Sequence, residues 1–166
     1  RPILQNVAPE DTMKLTFHLM WCKRGGNPFK SFNQKSAAAL LADYVERIDA
    51  SFAPCRADGH YAAAKNPAGS RKIILCDKNP PSIMLTSDQL ASRVGNFQNA
   101  GVKELLVIIG GADGLSAADI DALSPDLRWS FGPLTLPHEL ASVVAAEQIY
   151  RAYCILGRLP YHRGHD

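Results

Sequence analysis

From Lys14 to Trp21 apolar and polar residues alternate, with Leu15, Phe17 and Leu19 on one face, which predicts a strand. The period then changes. Between Gln34 and Asp49, residues Ala37, Leu40, Leu41, Tyr44, Val45 and Ile48 recur at helical spacing, with Ser31 or Asn33 able to cap the start. A short strand is expected over Ser51 to Ala57, and a loop over Asp58 to Ser70, which contains two glycines and Pro67. Lys72 to Asp77, Lys-Ile-Ile-Leu-Cys-Asp, is a β-rich run and Leu105 to Ile109 an apolar one, both of the kind found in buried strands. Between them, Ser87 is the expected cap of a helix with Leu90, Val94 and Phe97 on one side, and Gly101 ends it at C′. A short helix starts at Ser116 and ends by Pro125, and Leu127 to Phe131 is strand-like. The last helix runs from about His138 to Leu156. Leu140, Val143, Ile149 or Tyr150, Tyr153 and Leu156 should face inward, and Gly157 should close it.

Strands alternating with helices predict an α/β fold, a mainly parallel sheet with helices on both faces. No internal repeat is visible, and residues 13–166 read as a single domain. Residues 1–12 are polar, carry Pro2 and Pro9 and precede Met13, so they read as an extra, poorly ordered arm. An apolar fraction of 46% and a charged fraction of 20% fit a folded globular chain. No apolar run approaches membrane-spanning length, so no membrane partner is expected. A net charge of +2 is too small to identify a nucleic-acid partner. Its distribution is more informative: Lys23, Arg24, Lys30 and Lys35 cluster early, and Arg158, His162, Arg163 and His165 cluster late. Cys22, Cys55, Cys76 and Cys154 form no C-x-x-C pair, so no metal site is expected. Cys76 and Cys154 read as buried thiols. With no signal peptide in view, the expected compartment is the cytoplasm.

Ligands of open α/β sheets gather at the carboxyl ends of strands. Three such ends stand out: Leu75-Cys76-Asp77, Ile109-Gly110-Gly111 and Phe131-Gly132-Pro133. Their glycines allow close approach of backbone to a flat ring, or simply a tight turn. Gly110-Gly111-Ala112-Asp113-Gly114 is not a dinucleotide fingerprint, and no P-loop is present. His138-Glu139-Leu140-Ala141-Ser142 begins like a zinc-protease helix but lacks the second histidine. There is no G-x-S-x-G nucleophile elbow either. His138 sits at a helix start, where the dipole opposes an imidazolium, so it reads as a neutral donor or acceptor or as a capping residue. Glu147 lies among apolar neighbours and needs a partner, and Arg151, one turn on, suits a structural pair. Tyr161-His162-Arg163 combines a stacking ring, a proton-exchanging group and a phosphate-binding fork, or is a frayed polar end.

Several motifs in order resemble the bacterial RlmH family, SPOUT-class methyltransferases acting on a pseudouridine of 23S ribosomal RNA. They are Ile109-Gly110-Gly111 with Gly114-Leu115, Trp129-Ser130-Phe131 with Leu134-Thr135-Leu136-Pro137-His138, Glu147-Gln148-Ile149-Tyr150-Arg151-Ala152, and Tyr161-His162-Arg163. The likeness is dense over residues 104–163. It extends more weakly to Met13-Lys14-Leu15, Tyr44 to Ile48 and Leu75-Cys76-Asp77.

The resemblance implies a C-terminal trefoil knot, an S-adenosyl-L-methionine pocket, a homodimer, and large-subunit rRNA within the ribosome as partner. By matching position, cofactor contacts fall on Leu75, Gly110, Phe131, Gly132, Pro133, Leu134, Thr135 and Leu136. Tyr161, His162 and Arg163 would complete the active site across a dimer interface. His138 and His162 are the candidate acid/base groups, and Arg163 would stabilise developing negative charge. The chain departs from the family pattern at Lys78-Asn79-Pro80-Pro81, where a glycine-lysine turn is usual. The stretch between Ile48 and Leu75 is shorter than usual and puts one helix in doubt. Ser142 stands where an arginine, well placed for RNA or the reacting base, is general. A protein that binds RNA or cofactor without turnover, or a methyltransferase for another RNA, are the competing readings.

Overall fold

A computed structural model describes residues 12–66 and 69–162. Apart from Thr12, the proposed N-terminal arm lies outside the described residues. So does Arg163. The elements are β1 (Lys14–Leu19), α1 (Lys35–Ser51), β2 (Cys55–Asp58), β3 (Arg71–Cys76), β4 (Ile83–Met84), α2 (Ser87–Asn99), β5 (Glu104–Ile109), α3 (Ala117–Leu123), β6 (Leu127–Ser130) and α4 (His138–Leu156). A single 3-10 turn, Pro28–Ser31, precedes α1. Among the described residues the doubtful helix between α1 and β3 is absent: residues 59–66 carry neither helix nor strand.

The six strands form one sheet in the order β2-β1-β5-β3-β6-β4, and every pairing is parallel. Crossovers between parallel strands cover both faces, which is why β5 at the centre is apolar and buried from Leu105 to Ile109. Alternate side chains sort the core into two layers. Leu15, Phe17, Leu19, Ile74, Leu105, Val107 and Ile109 pack under α1, α2 and α4. Ile73, Leu75, Leu106 and Ile108 face the other way, onto Leu123 of α3 and Tyr61.

Most predicted elements are present, with local differences. Thr86 caps α2, through a capping box with Gln89, and Ser87 is the first helical residue. Leu40 and Leu140 point to solvent (48% and 45% exposed), because the buried stripes of their helices run through Leu41 and Val143 instead. Of the pair Ile149 and Tyr150, Ile149 is the buried one. Gly157 ends α4 with φ −84°, and it is Arg158 that takes the left-handed turn, at φ 56°.

The loop after β1 is locked against the segment after β2. The backbone N–H of His60 donates to the Cys22 carbonyl at 2.8 Å, and His18 Nδ1 is 2.9 Å from the Gly59 carbonyl oxygen. That oxygen can only accept, so Nδ1 carries the proton. Burial, partly offset by this bond, holds the His18 pKa below its ordinary value. A Cβ on Gly59 would lie 2.2 Å from the Lys23 carbonyl oxygen, closer than any contact allows. Gly59→Ala is therefore expected to cost about 1–3 kcal/mol through overpacking. Urea unfolding checks this; an unchanged midpoint would show that the loop yields freely.

Candidate active site

Strand register builds the floor of the site. Leu19 lies beside Ile109, Ile109 beside Cys76, Cys76 beside Trp129, and Trp129 beside Ile83. Four strands thus end near one lateral row, and the chain leaves it through three loops. Between those loops lies a cavity of about 710 Å³. Its walls are Ile109 to Gly114 from one loop, Cys76 to Lys78 from the second, and Phe131, Gly132, Leu134 to His138 and Ala141 with Trp129 from the third. The lining is largely apolar with a few polar groups (Asp77, Lys78, Asp113, Thr135 and His138), as ligand cavities usually are.

Local chemistry shapes each loop. A Cβ on Gly110 would sit 3.4 Å from the Gly114 Cα, and Gly114 closes the turn at φ 68° with its N–H on the Gly111 carbonyl (2.9 Å). Gly132 turns the third loop at φ 110°, a conformation side chains rarely adopt, and its N–H donates to Ser130 Oγ at 3.1 Å. Arg128 forms an ion pair with Asp77 from the neighbouring strand. Lys78 Nζ donates to Thr135 Oγ1, joining two loops across the cavity mouth. Burial pushes the Cys76 thiol pKa far up, so it is no nucleophile.

The corner at the start of α4 is held by Glu139. Its carboxylate oxygens accept the backbone N–H groups of Asn33 and Gln34, both at 2.8 Å. Neither Ser31 nor Asn33 caps α1 with its side chain. The cap, Gln34, has no side-chain bond of its own, and a carboxylate from a residue far along the chain does the work. Beside it, His138 Nε2 is 3.9 Å from Glu139 Oε2, and the His138 ring meets Trp21 edge-on, centroids 4.5 Å apart.

Of the expected cofactor contacts, Gly110, Phe131, Gly132, Leu134, Thr135 and Leu136 line the cavity, and so does His138. Leu75 is buried in the opposite core layer, and the lining takes Cys76, Asp77 and Lys78 from that strand end instead. Pro133 does not line the cavity. Sequence reading also left Trp21, Glu139 and Asp113 out of the site; Glu139 was visible only as a carboxylate in a helix's first turn.

The C-terminal tail lies elsewhere. Glu147 Oε2 accepts from Arg151 Nη2 at 2.7 Å and from the Tyr161 hydroxyl at 2.8 Å. Arg151 also reaches His162 Nδ1 at 3.0 Å, and its guanidinium stacks 4.7 Å from the Tyr161 ring centroid. The expected Glu147–Arg151 pair is therefore a clamp on the tail. Arginine only donates, so His162 Nδ1 is the acceptor here. Burial, then the bond to Glu147, pushes the Tyr161 pKa well up, so its hydroxyl stays protonated. Arg151 stands on α4 about 20 Å beyond His138 along the helix axis. The two halves of the expected site are thus at opposite ends of one helix.

Ser142 corrects the expectation placed on it. Its side chain is fully buried and donates to the Glu139 carbonyl at 2.7 Å, and it is no part of the cavity wall. The absent arginine therefore leaves no gap in the cavity of this chain.

An all-parallel sheet with a cavity at its carboxyl edge, lipped by glycine-bearing loops, is the α/β arrangement in which ligands gather at strand ends. The family model described as predicted SPOUT methyltransferase matches residues 53–162. The chain belongs to this SPOUT methyltransferase family. It is 39% identical over 124 residues to the ribosomal RNA large subunit methyltransferase H of Maricaulis maris, covering 74% of this chain and 77% of the relative. A protein of the same name from Acidithiobacillus ferrooxidans is 43% identical over 109 residues, and the match spans 66% of this chain and 64% of the relative's length. A third, from Xanthomonas oryzae, is 45% identical over 107 residues, 60% of this chain and 67% of the relative. A solved methyltransferase structure from Legionella pneumophila with bound SAM aligns over 83% of this chain and 66% of its own, at 16% identity and a TM-score of 0.39.

Two outcomes follow from the corner. Burial alone would raise the Glu139 pKa, but the bonds from Asn33 and Gln34, with His138 and Lys35 nearby, bring it below the ordinary carboxylate value. A depressed folded pKa adds stability above the unfolded pKa and loses it as pH falls through the folded one. Glu139→Gln should therefore cost about 1–3 kcal/mol at neutral pH, and the gap from the parent should close on acidification. Denaturation at several pH values reads this, and a gap independent of pH would refute the charged cap. Ser142→Arg should also destabilise, by about 1–3 kcal/mol, because it forces a long side chain into a filled interior. A thermal melt at or above the parent's would contradict that.

Proposed function

We propose that this chain is an S-adenosyl-L-methionine-dependent methyltransferase that methylates a ring nitrogen of a pseudouridine in 23S ribosomal RNA, acting as a cytoplasmic homodimer on the ribosome. One observation carries the reading: Gly110, Phe131, Gly132, Leu134, Thr135 and Leu136, six of the eight residues that the family resemblance assigns to the cofactor, border one cavity. The relatives' names supply the substrate class, large-subunit rRNA.

The residues present fit such a cofactor. Ile109, Leu134, Leu136 and Pro137 can flank a flat adenine, and the glycine turn at 110–114 keeps its wall thin. Asp113 brings a carboxylate to the lip, suited to the cationic amino-acid end. When bound, the cofactor supplies a methyl group on a sulfonium, for which alignment matters more than activation.

The chain's own task is to orient the acceptor nitrogen and take its proton. His138 borders the cavity with its ring held by Trp21 and by the first turn of α4. With Nε2 turned toward Glu139, Nδ1 is the atom left to accept the proton. The chain's own tail is clamped about 20 Å away along α4. In this reading Tyr161 and His162, with Arg163, serve the cavity of a second copy. Exposed Leu134 and Met84 (73% and 69%), with Ile83, offer apolar surface near the mouth for such a copy to cover. Because Ser142 is buried, its identity gives no ground for reading the chain as a catalytically silent binding protein.

The test has two arms. Calorimetry should detect cofactor binding, and ribosomes from a strain lacking this modification should accept one methyl group on a pseudouridine. His138→Ala should lower the methylation rate by roughly 10²–10⁴-fold while cofactor binding largely persists. Absence of cofactor binding, or no methyl transfer to ribosomes by a cofactor-loaded dimer, would sink the proposal. A methyl group mapped to transfer RNA would reassign the substrate.

A further inference from the structure

We infer that the loop from Cys22 to Phe32 is an RNA-backbone contact surface beside the cavity, with Lys23, Arg24 and Lys30 as its phosphate-binding cations. The inference rests on the RNA methyltransferase reading and adds to it a surface which that reading does not require.

The first argument is placement. Both ends of the loop are pinned to the corner of the cavity formed by His138 and Glu139. At its start, Trp21 packs edge-on against His138, and its Cβ lies 3.4 Å from where a Cβ on Gly111 would stand. At its end, the N–H groups of Asn33 and Gln34 donate to the Glu139 carboxylate at 2.8 Å. The loop thus leaves from and returns to the His138–Glu139 corner, and His138 lines the cavity.

The second is rigidity. Cys22 N–H donates to Leu19 O at 2.9 Å, and Cys22 O accepts from His60 N–H at 2.8 Å. Asn27 Oδ1 accepts from Phe29 N–H at 3.0 Å, capping the 3-10 turn. Pro28 and Phe32 are buried, and Gly59 presses on the Lys23 carbonyl. The cations therefore project from a backbone that is already ordered, which lowers the entropic cost of binding.

The third is free charge. Lys23, Arg24 and Lys30 are exposed, and none forms an ion pair among the described residues. Neighbouring charges are already engaged. Asp58 is taken by Arg56 at 2.7 Å and by the N–H groups of Gly25 and Gly59, and Lys35 Nζ is bound to Phe32 O at 2.9 Å. A chain of net charge +2 has little long-range pull, so local cations must supply the grip. Two ammonium groups and one guanidinium on a fixed loop suit successive phosphates, which orient a substrate without reading its bases.

The experiment compares the full chain with K23Q/R24Q/K30Q and its three single variants. Cofactor affinity by calorimetry and the thermal midpoint should match the parent, because the loop's anchors are backbone groups and other residues. The KM for unmodified ribosomes should rise roughly tenfold or more, with kcat nearly unchanged. Binding to an rRNA fragment should lose salt dependence, the slope of log K against log salt falling by about 0.7–0.9 for each phosphate contact removed. An unchanged KM and an unchanged salt slope in the triple variant would overturn the inference. Should the triple variant unfold, the single variants decide by the same two readouts. A parent chain that binds the fragment but methylates no ribosome would sink the enzymatic reading, and the salt slopes would still report on the loop.

Discussion

The lateral row Leu19–Ile109–Cys76–Trp129–Ile83 is the constraint on which the rest depends. Parallel pairing means that neighbouring strands finish on the same side. The shared register means that they finish near the same level. A shift of one residue in β5 against β1 or β3 would turn Leu105, Val107 and Ile109 away from the helical layer and disrupt both cores. Register is therefore fixed by burial, and the cavity at the strand ends is a by-product of that fixing. Its floor needs no specific interaction of its own.

The walls do. Three loops leave the row, and two of them are tied by bonds reaching across the fold: Arg128 to Asp77, Lys78 to Thr135, and Glu139 to the backbone before α1. The last is the most consequential. A buried carboxylate is tolerable only when its lone pairs are met, and here two otherwise orphaned helix-terminal N–H groups meet them. One residue thus satisfies the start of α1, anchors the start of α4 and fixes the ring beside it, His138.

Much of this was legible in the sequence because burial writes period into it. The β-rich run Lys72–Asp77, the apolar run Leu105–Ile109 and the helical spacing after Gln34 gave elements that the structure places within a few residues of expectation. The three strand ends singled out for ligand binding are those that bound the cavity. What stayed hidden depends on contacts between distant segments. Glu139 capping α1 spans more than a hundred residues, and no local pattern announces it. The cap of α2 is Thr86 rather than its neighbour Ser87, because both are good cap residues and only the Gln89 partner distinguishes them. Leu75 and Cys76 are adjacent, but successive strand residues face opposite layers, so only one could turn to the cavity's side.

Helix α4 carries the remaining logic. Its first residue borders the cavity, and its second half holds Glu147 and Arg151 against the tail. A helix buried along Val143, Ala146, Ile149 and Tyr153 is a stiff rod, so the separation of its two stations is set by residue count rather than by loop conformation. A tail gripped in this way can serve the cavity of its own chain only by breaking the clamp, which would take the Tyr161 hydroxyl from Glu147 and His162 from Arg151. Serving a second copy requires no such break. The same bonds hold Tyr161 and His162 away from the cavity of their own chain.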